Sequence, residues 1–418
     1  MAIDPEELKR RRLHRQQQRQ AQQRRTIVRL VIAGIAVVLC GVLILSLVAA
    51  ANKKPSSNIT QPSTDTQAET TTSEQAQTVI HMAAAGDLNI TEAVVNSGGI
   101  NYDYTNTFLD IAPLLADADV TALNFEGNLY GLPYGTDRSA PQSLPEALER
   151  IGVDFVQLAN SYSIYKGMEG LAETISGIRL AGLEPLGVYA SASEAKERKG
   201  YTICDVQGVK IAFVSFTKGM DGMALPPGNE GCVNVLYTDY STDYQTVDTE
   251  GISRVLDAAA AEKPDITVAL LHWGSEFNNT VSQSQQDICA LMQSKGVDAI
   301  IGTHSHYVQK MEFDPDAGTF VAYSLGDFLG DAQRAGSEYS VILDLEITKD
   351  NQSGQTKITN YNYVPIFTVA EEGKPLKTLR IREAIKAFED GYLDRVSQQT
   401  YDAMKYALER IEARINGK

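Results

Sequence analysis

The chain has 418 residues, 43% of them hydrophobic and 22% charged, with a net charge of -16. Those fractions sit near globular averages and exclude wholesale disorder and a polytopic membrane protein, and the excess of acids excludes a large nucleic-acid-binding surface. Cys40, Cys204, Cys232 and Cys289 form no CxxC pair, which excludes a zinc ribbon and a dense disulfide scaffold.

The charge is unevenly placed. Residues 1–29 hold nine Lys/Arg against three acids, so the rest of the chain is more acidic than the whole. Residues 30–51 follow as an uncharged run of 22 with one hydroxyl, Ser46. As a helix such a run spans about 33 Å, enough for a bilayer core. It is longer than the apolar region of a cleaved signal peptide, although Ala49-Ala50-Ala51 would suit a peptidase. The expectation is an uncleaved single-pass anchor with residues 1–29 in the cytoplasm and the C-terminal bulk outside. Residues 52–78 contain almost no large apolar side chain and read as a disordered linker. The folded part is expected over residues 79–418.

From Val79 onward, apolar runs alternate with amphipathic stretches. Strands are predicted at Val79–Ala85, Val120–Asn124 and Phe155–Ala159, with helices at Leu144–Ile151 and Glu169–Leu183, where Leu171, Ile175 and Ile178 share a face. Ile211–Phe216, Ile266–Leu271 and Ala299–Ile301 read as strands, separated by helices at Ile252–Ala261 and Gln283–Lys295. The pattern then changes to hairpins, Lys310–Phe313 with Phe320–Ser324 and Ser340–Ile347 with Lys357–Tyr363, before helical residues return from Arg380. Alternation followed by hairpins predicts a layered α/β domain with a mixed sheet.

Polar clusters stand where the apolar strands run out: Gly86-Asp87, Asn124-Phe125-Glu126-Gly127-Asn128, Asn160-Ser161-Tyr162, His272-Trp273-Gly274-Ser275-Glu276 and Gly302-Thr303-His304-Ser305-His306. In α/β sheets the crevice beyond the carboxyl ends of strands is where ligands bind. Three of the five histidines in the chain fall in these clusters. Imidazole and carboxylate together suit zinc, iron, manganese or nickel better than calcium or magnesium. His304 and His306 can converge on one ion or reach two, and Asp87 or Glu126 can bridge a pair that generates hydroxide near neutral pH. Taken singly, each residue has a plainer explanation. Asp87 alone is a turn or cap residue, the two histidines are loop residues, and Glu126 is a solvated charge. Asp327 and Asp331 are turn residues at the Gly326 and Gly330 bends. The conjunction of five polar strand ends favours the metal site.

With Leu158-Ala159-Asn160, His272-Trp273-Gly274 and Tyr323-Ser324-Leu325-Gly326-Asp327-Phe328 included, this ordered set resembles the CapA-type poly-γ-glutamate capsule-synthesis proteins of the calcineurin-like metallophosphoesterase superfamily, over roughly residues 79–330. The resemblance implies a four-layer α/β-β/α sandwich with a two-metal crevice. By the same resemblance Asp87 corresponds to the first metal ligand, Glu126 to the bridging carboxylate, and His272 to a second-metal ligand. His304 and His306 correspond to the paired ligands of the last motif. The family's third motif, usually Asn-Asn-His, reads Asn160-Ser161-Tyr162 here. Ser161 is a poor metal ligand, and a phenol titrating near pH 10 is no imidazolium acid. Asp327 stands where the family usually has Asn. Asn160 and Tyr162 are therefore the candidate catalytic residues of an altered site, with one or two divalent ions at partial occupancy and low hydrolytic activity.

The leading functional expectation is a membrane-anchored component of capsule or poly-γ-glutamate-type polymer synthesis or export. Its expected partners are the membrane, other synthesis subunits and an anionic polymer, with no nucleic acid. An active extracellular metal-dependent phosphoesterase and a non-catalytic envelope scaffold are the alternatives. In an oxidising compartment Cys204 and Cys232 are free to pair, but two free buried thiols is the simpler expectation, and Cys289 belongs to an apolar helical stretch.

Overall fold

The computed structural model describes residues 76–332, 334–392 and 396–417. The predicted basic head and apolar span, and nearly all of the predicted linker, lie outside the described residues, among which no helix is long and apolar enough to cross a membrane. Fourteen strands run in chain order among the described residues: β1 (Gln77–Asn89), β2 (Val120–Glu126), β3 (Phe155–Gln157), β4 (Glu184–Leu186), β5 (Tyr201–Val206), β6 (Val209–Thr217), β7 (Ile266–His272), β8 (Ala299–Thr303), β9 (Met311–Asp314), β10 (Thr319–Ala322), β11 (Asp327–Leu329), β12 (Tyr339–Asp350), β13 (Thr356–Val369) and β14 (Lys377–Arg380).

They build two mixed sheets. The first has the order β14-β13-β12-β1-β2-β3-β4, with β11 added against β1, and the second the order β5-β6-β7-β8-β10-β9. Both expected hairpins are present as antiparallel pairs, β9 with β10 and β12 with β13. The parallel strands are covered on both faces, so β7 is buried along its whole length and reads as an unbroken apolar run.

One apolar cluster fills the space between the sheets. Ile80, Met82 and Phe155 from the first sheet meet Ile211, Phe213 and Leu270 from the second. Phe155 and Phe213 approach across the gap with ring centroids 4.6 Å apart. A second cluster packs the other face of the first sheet beneath the helices Ser143–Arg150 and Gly167–Leu180, through Leu148, Leu171, Ile175 and Ile178. A third packs the outer face of the second sheet beneath the helices Thr249–Ala261 and Gln283–Ser294. The result is helix, sheet, sheet, helix, in four layers. Truncating Phe155 would remove a ring from the central layer, a loss of about 3–5 kcal/mol.

Several expectations are corrected in detail. The strand predicted at Phe155–Ala159 ends at Gln157, where its partner β4 also ends; Leu158 N–H makes the last rung, to the Leu186 carbonyl at 3.1 Å. β4, β5, β11 and β14 have no counterpart in the sequence reading. β4 and β11 are three residues each, too short to show an alternation. The helical return after Arg380 is two helices, Ile381–Glu389 and Gln398–Ile415. Cys204, Cys232 and Cys289 are all buried, and no disulfide joins Cys204 to Cys232.

The strand that organises the site is β1. Its first half pairs antiparallel with β12 as far as Ala84↔Leu343. Beyond a bulge between Ala84 and Asp87 it pairs parallel with β11, in the register Asp87↔Asp327. This exchange of partner needs two glycines in contact. Asp87 N–H donates to the Gly326 carbonyl at 3.0 Å, and a Cβ on Gly86 would lie 1.7 Å from that oxygen. Gly326 itself has φ +80°.

Candidate metal centre

Each polar cluster is delivered by the carboxyl end of a strand. Asp87 comes from β1, Glu126 from β2, His272 from β7, and His304 and His306 from the turn after β8. All five are buried. Asp327, at the start of β11, is buried with them and not a free turn residue.

The ligand-type atoms fall into two groups, Glu126 with His272 and His304, and Asp87 with His306 and Asp327, each within 4.8 Å of one another. In the first group His272 Nε2 lies 3.3 Å from Glu126 Oε1 and 3.1 Å from Ser161 Oγ, while its Nδ1 is 3.1 Å from Thr303 Oγ1. In the second, His306 Nδ1 is 2.7 Å from Asp327 Oδ1, and the Asp87 carboxylate accepts from Asn124 Nδ2 at 2.6 Å and from His304 N–H at 2.9 Å. His304 and His306 both have left-handed backbones, φ 88° and 57°. Non-glycine residues stay there only when their surroundings fix them, and the Asp87–His304 bond is one such constraint.

The third motif divides its work. Asn160 is committed to the framework: its amide donates to Asn124 Oδ1 and the Phe125 carbonyl, and its oxygen accepts from Tyr162 N–H. Ser161 reaches His272. The Tyr162 hydroxyl points to Arg138, whose Nη2 donates to it at 2.8 Å and whose guanidinium lies 4.4 Å over the ring. Lys218 follows β6 on the side of the second sheet and donates to the Gly274 carbonyl at 2.9 Å.

The electrostatics follow from burial. Desolvation pushes the Asp87 carboxyl up, reinforced by Glu126 and opposed by the two histidines. Burial also pushes Glu126 up, but the His272 hydrogen bond and the charges of His272, His306 and Arg138 outweigh it and hold the carboxyl low. His304 is held well below the usual imidazole value by burial and by the charges of His272, Lys218 and His306, so it is neutral and able to donate a lone pair. His306 is opposed by burial yet raised to about 10 by Asp327. Burial raises Tyr162, which remains a protonated phenol.

Within the two ligand groups, Glu126 Oε2 and His304 Nδ1 are buried with no hydrogen-bond partner among the described residues. Orphaned buried acceptors are costly, about 1–3 kcal/mol each. Both belong to the same three-residue group, and a cation would satisfy both. Three imidazoles and three carboxylates in two triads are donors that zinc, manganese or iron accept, so the residues present fit divalent ions.

A family described as "Bacterial capsule synthesis protein PGA_cap" matches residues 81–332, which contain every one of these groups. The chain belongs to that family. It is 24% identical to the capsule biosynthesis protein CapA of Bacillus anthracis over 353 residues, covering 81% of this chain and 78% of that protein. It is 26% identical to the PGA biosynthesis protein CapA of Bacillus subtilis over 267 residues, covering 60% and 63%. Among solved structures it is similar to the calcineurin-like phosphoesterase YfkN of Bacillus subtilis, with 17% identity, 79% of this chain and 99% of that chain covered, and a TM-score of 0.45.

Sequence reasoning missed Arg138, and it counted Asp327 among the turn residues, noting otherwise only that it stands where the resemblance has Asn. Arg138 lies in a polar loop with no local pattern. Asp327 had a signal in its place after the Gly326 bend, but its pairing with His306 is a long-range contact.

Proposed function

We propose that this chain is a membrane-anchored, extracellular component of capsule polymer synthesis or export, of the poly-γ-glutamate type, carrying a divalent-metal crevice of reduced hydrolytic power. The observation that carries it is the pair of three-donor groups at the strand ends, one with two orphaned acceptors, inside the segment that matches the capsule family. Asp87, His306 and Asp327 would hold one ion and Glu126, His272 and His304 the other. Such ions supply Lewis acidity and a bound hydroxide.

The chain's own residues then have definite tasks. Asn124 and Asn160 fix the carboxylate of Asp87 and the loop of the third motif. Thr303 orients His272. Ser161 supplies a hydroxyl where the resemblance implies an amide ligand, and Tyr162 a neutral phenol where it implies an imidazole. Loss of a positioned proton donor costs about 10²–10⁴ in rate, which is the basis for reduced turnover. The acidic remainder of the chain repels an anionic polymer everywhere but at a local cationic site. Its partners would be the membrane and other polymer-synthesis subunits.

The test is elemental analysis of the purified full-length chain, together with capsule formation in a deletion strain complemented by wild-type or His304→Ala protein. Bound divalent metal that falls in the variant, with capsule lost alongside, is the expected result. A protein that takes up no metal under any loading condition would sink the crevice reading. A deletion strain with normal capsule would sink the polymer reading. For topology, protease added to intact protoplasts should digest residues 79–418, and survival of that part would reverse the assignment.

A further inference from the structure

Four arginines among the described residues face carboxylates: Arg179 meets Glu194, Arg198 meets Glu184, Arg380 meets Asp110 and Arg382 meets Glu412. Arg138 is different. Its hydrogen-bond partners among the described residues are all neutral, the Asn89 side-chain oxygen and the Ile90 carbonyl through Nη1 and the Tyr162 hydroxyl through Nη2. Its charge is felt at Glu126 inside the crevice. It is half-buried and so partly stripped of water, and no carboxylate among the described residues forms an ion pair with it.

The backbone is arranged to hold it there. Asp137 and Arg138 are consecutive left-handed residues, φ 51° and 58°, neither of them glycine. That cost is met by a clasp on the preceding loop: Asn128 N–H donates to the Arg138 carbonyl at 2.8 Å and Asn128 Nδ2 to the Asp137 carbonyl at 2.8 Å. Gly127 must be glycine for this approach, since a Cβ there would lie 2.8 Å from the Arg138 carbonyl oxygen and closer still to Ile90. A strained position fixed from several sides, ending in a guanidinium without an anion, is a built receptor and not a solvated loop charge.

We propose that Arg138, stacked on Tyr162 and held by Asn89, is an anion-binding residue at the rim of the crevice, taking an oxyanion group of the substrate, carboxylate or phosphate. This rests on the crevice reading above and names the substrate chemistry of that site. Arg138 thereby supplies, from another loop, the positive charge that Tyr162 cannot carry. With Nη2 donating to Tyr162 Oη, the phenol hydrogen is left to donate to the same anion.

Binding of two probes to the full-length chain decides it: inorganic phosphate, and a short γ-linked glutamate oligomer, each by calorimetry with metal content measured in parallel. The expected result is that wild-type protein binds at least one probe. Arg138→Gln should then weaken that binding by about 10- to 100-fold, as for loss of a charged hydrogen bond, with metal content unchanged. Arg138→Lys, which keeps the charge but loses the fork, should fall between. Whichever probe responds identifies the source of the oxyanion. Wild-type protein should also show Arg138 protected from phenylglyoxal by the bound probe, a readout that needs no variant to fold. An unchanged affinity in Arg138→Gln, no binding of either probe by wild-type protein, or no protection at saturation would each overturn the proposal. Metal that is present while Arg138 is indifferent fails this proposal alone. Probe binding that depends on Arg138 in a protein without metal fails the crevice reading alone.

Discussion

The two ends of the parallel strands use the same residue type in opposite ways. At the amino ends, an aspartate precedes each of four strands and clips the strand beside it. Asp119 accepts from His81 N–H at 2.9 Å, Asp154 from Thr121 N–H at 3.0 Å, Asp265 from Lys210 N–H at 2.7 Å and Asp298 from Thr267 N–H at 2.7 Å. The backbone N–H of each aspartate returns a bond to the same residue's carbonyl, at 2.7–3.0 Å. At the carboxyl ends, Asp87 and Glu126, joined by Asp327 from the start of β11, instead meet imidazoles and one another, away from water. The first set completes the ladder of backbone bonds. The second leaves donor atoms unmatched and raises the carboxyl pKa of Asp87 by crowding as well as burial. Position beyond a strand therefore says less than the identity of the partner.

The largest break in this comparison comes from Gly86. Gly86→Ala would place a Cβ 1.7 Å from the Gly326 oxygen and force β11 off β1, separating Asp87 from Asp327 while leaving the amino-end clips alone. Over-packing against backbone costs about 3 kcal/mol or more. Urea unfolding should show that loss, and metal analysis should show the Asp87 group emptied. Equal stability would mean that the strand switch is not rigid.

Within the carboxyl ends the two donor groups differ as well. One has two carboxylates and an internal His306–Asp327 bond; the other has one carboxylate, two orphaned atoms and Ser161 against His272. Asp327→Asn should therefore weaken one ion by about 10- to 100-fold, the scale of losing a carboxylate that supports a ligand histidine. Ser161→Asn with Tyr162→His should raise metal stoichiometry through the other group. Equilibrium dialysis against a divalent metal separates the two, and a wild-type chain already holding two full equivalents with rapid turnover would end the idea of a reduced site.

How far the sequence carried depends on range. β7 and the helix Gly167–Leu180 were readable because burial on all or one side imposes its period on neighbouring residues. The histidines were readable because they are rare and fall after apolar runs. The Asp327–His306 bond, the Gly86–Gly326 contact and the Arg138–Tyr162 pair join segments far apart in the chain, so no local pattern reports them. The amino-end aspartates did leave a signal that went unread. Asp119-Val120, Asp154-Phe155, Asp265-Ile266 and Asp298-Ala299 each set an acid directly before a buried strand.

Those clips give the smallest and cleanest test of the contrast. Asp298 is pushed up to about 6 by burial, against the lowering effect of its bond from Thr267 N–H. In the unfolded chain an aspartate titrates near 3.9. Between those values the folded state binds more protons than the unfolded one, so stability falls as pH rises from about 4 to about 6 and is level above. Asn at this position keeps the acceptor oxygen and removes the titration. The stability of Asp298→Asn relative to wild type should therefore grow by on the order of 1–2 kcal/mol between pH 4 and pH 6.5, measured by denaturant unfolding. Metal content should not change, because the residue lies at the opposite end of β8 from His304 and His306. A difference that stays flat across this range would mean that the clip is solvated like any surface acid. A change in metal content would mean that the two strand ends are coupled, and the division between structural and ligand-holding carboxylates would not hold.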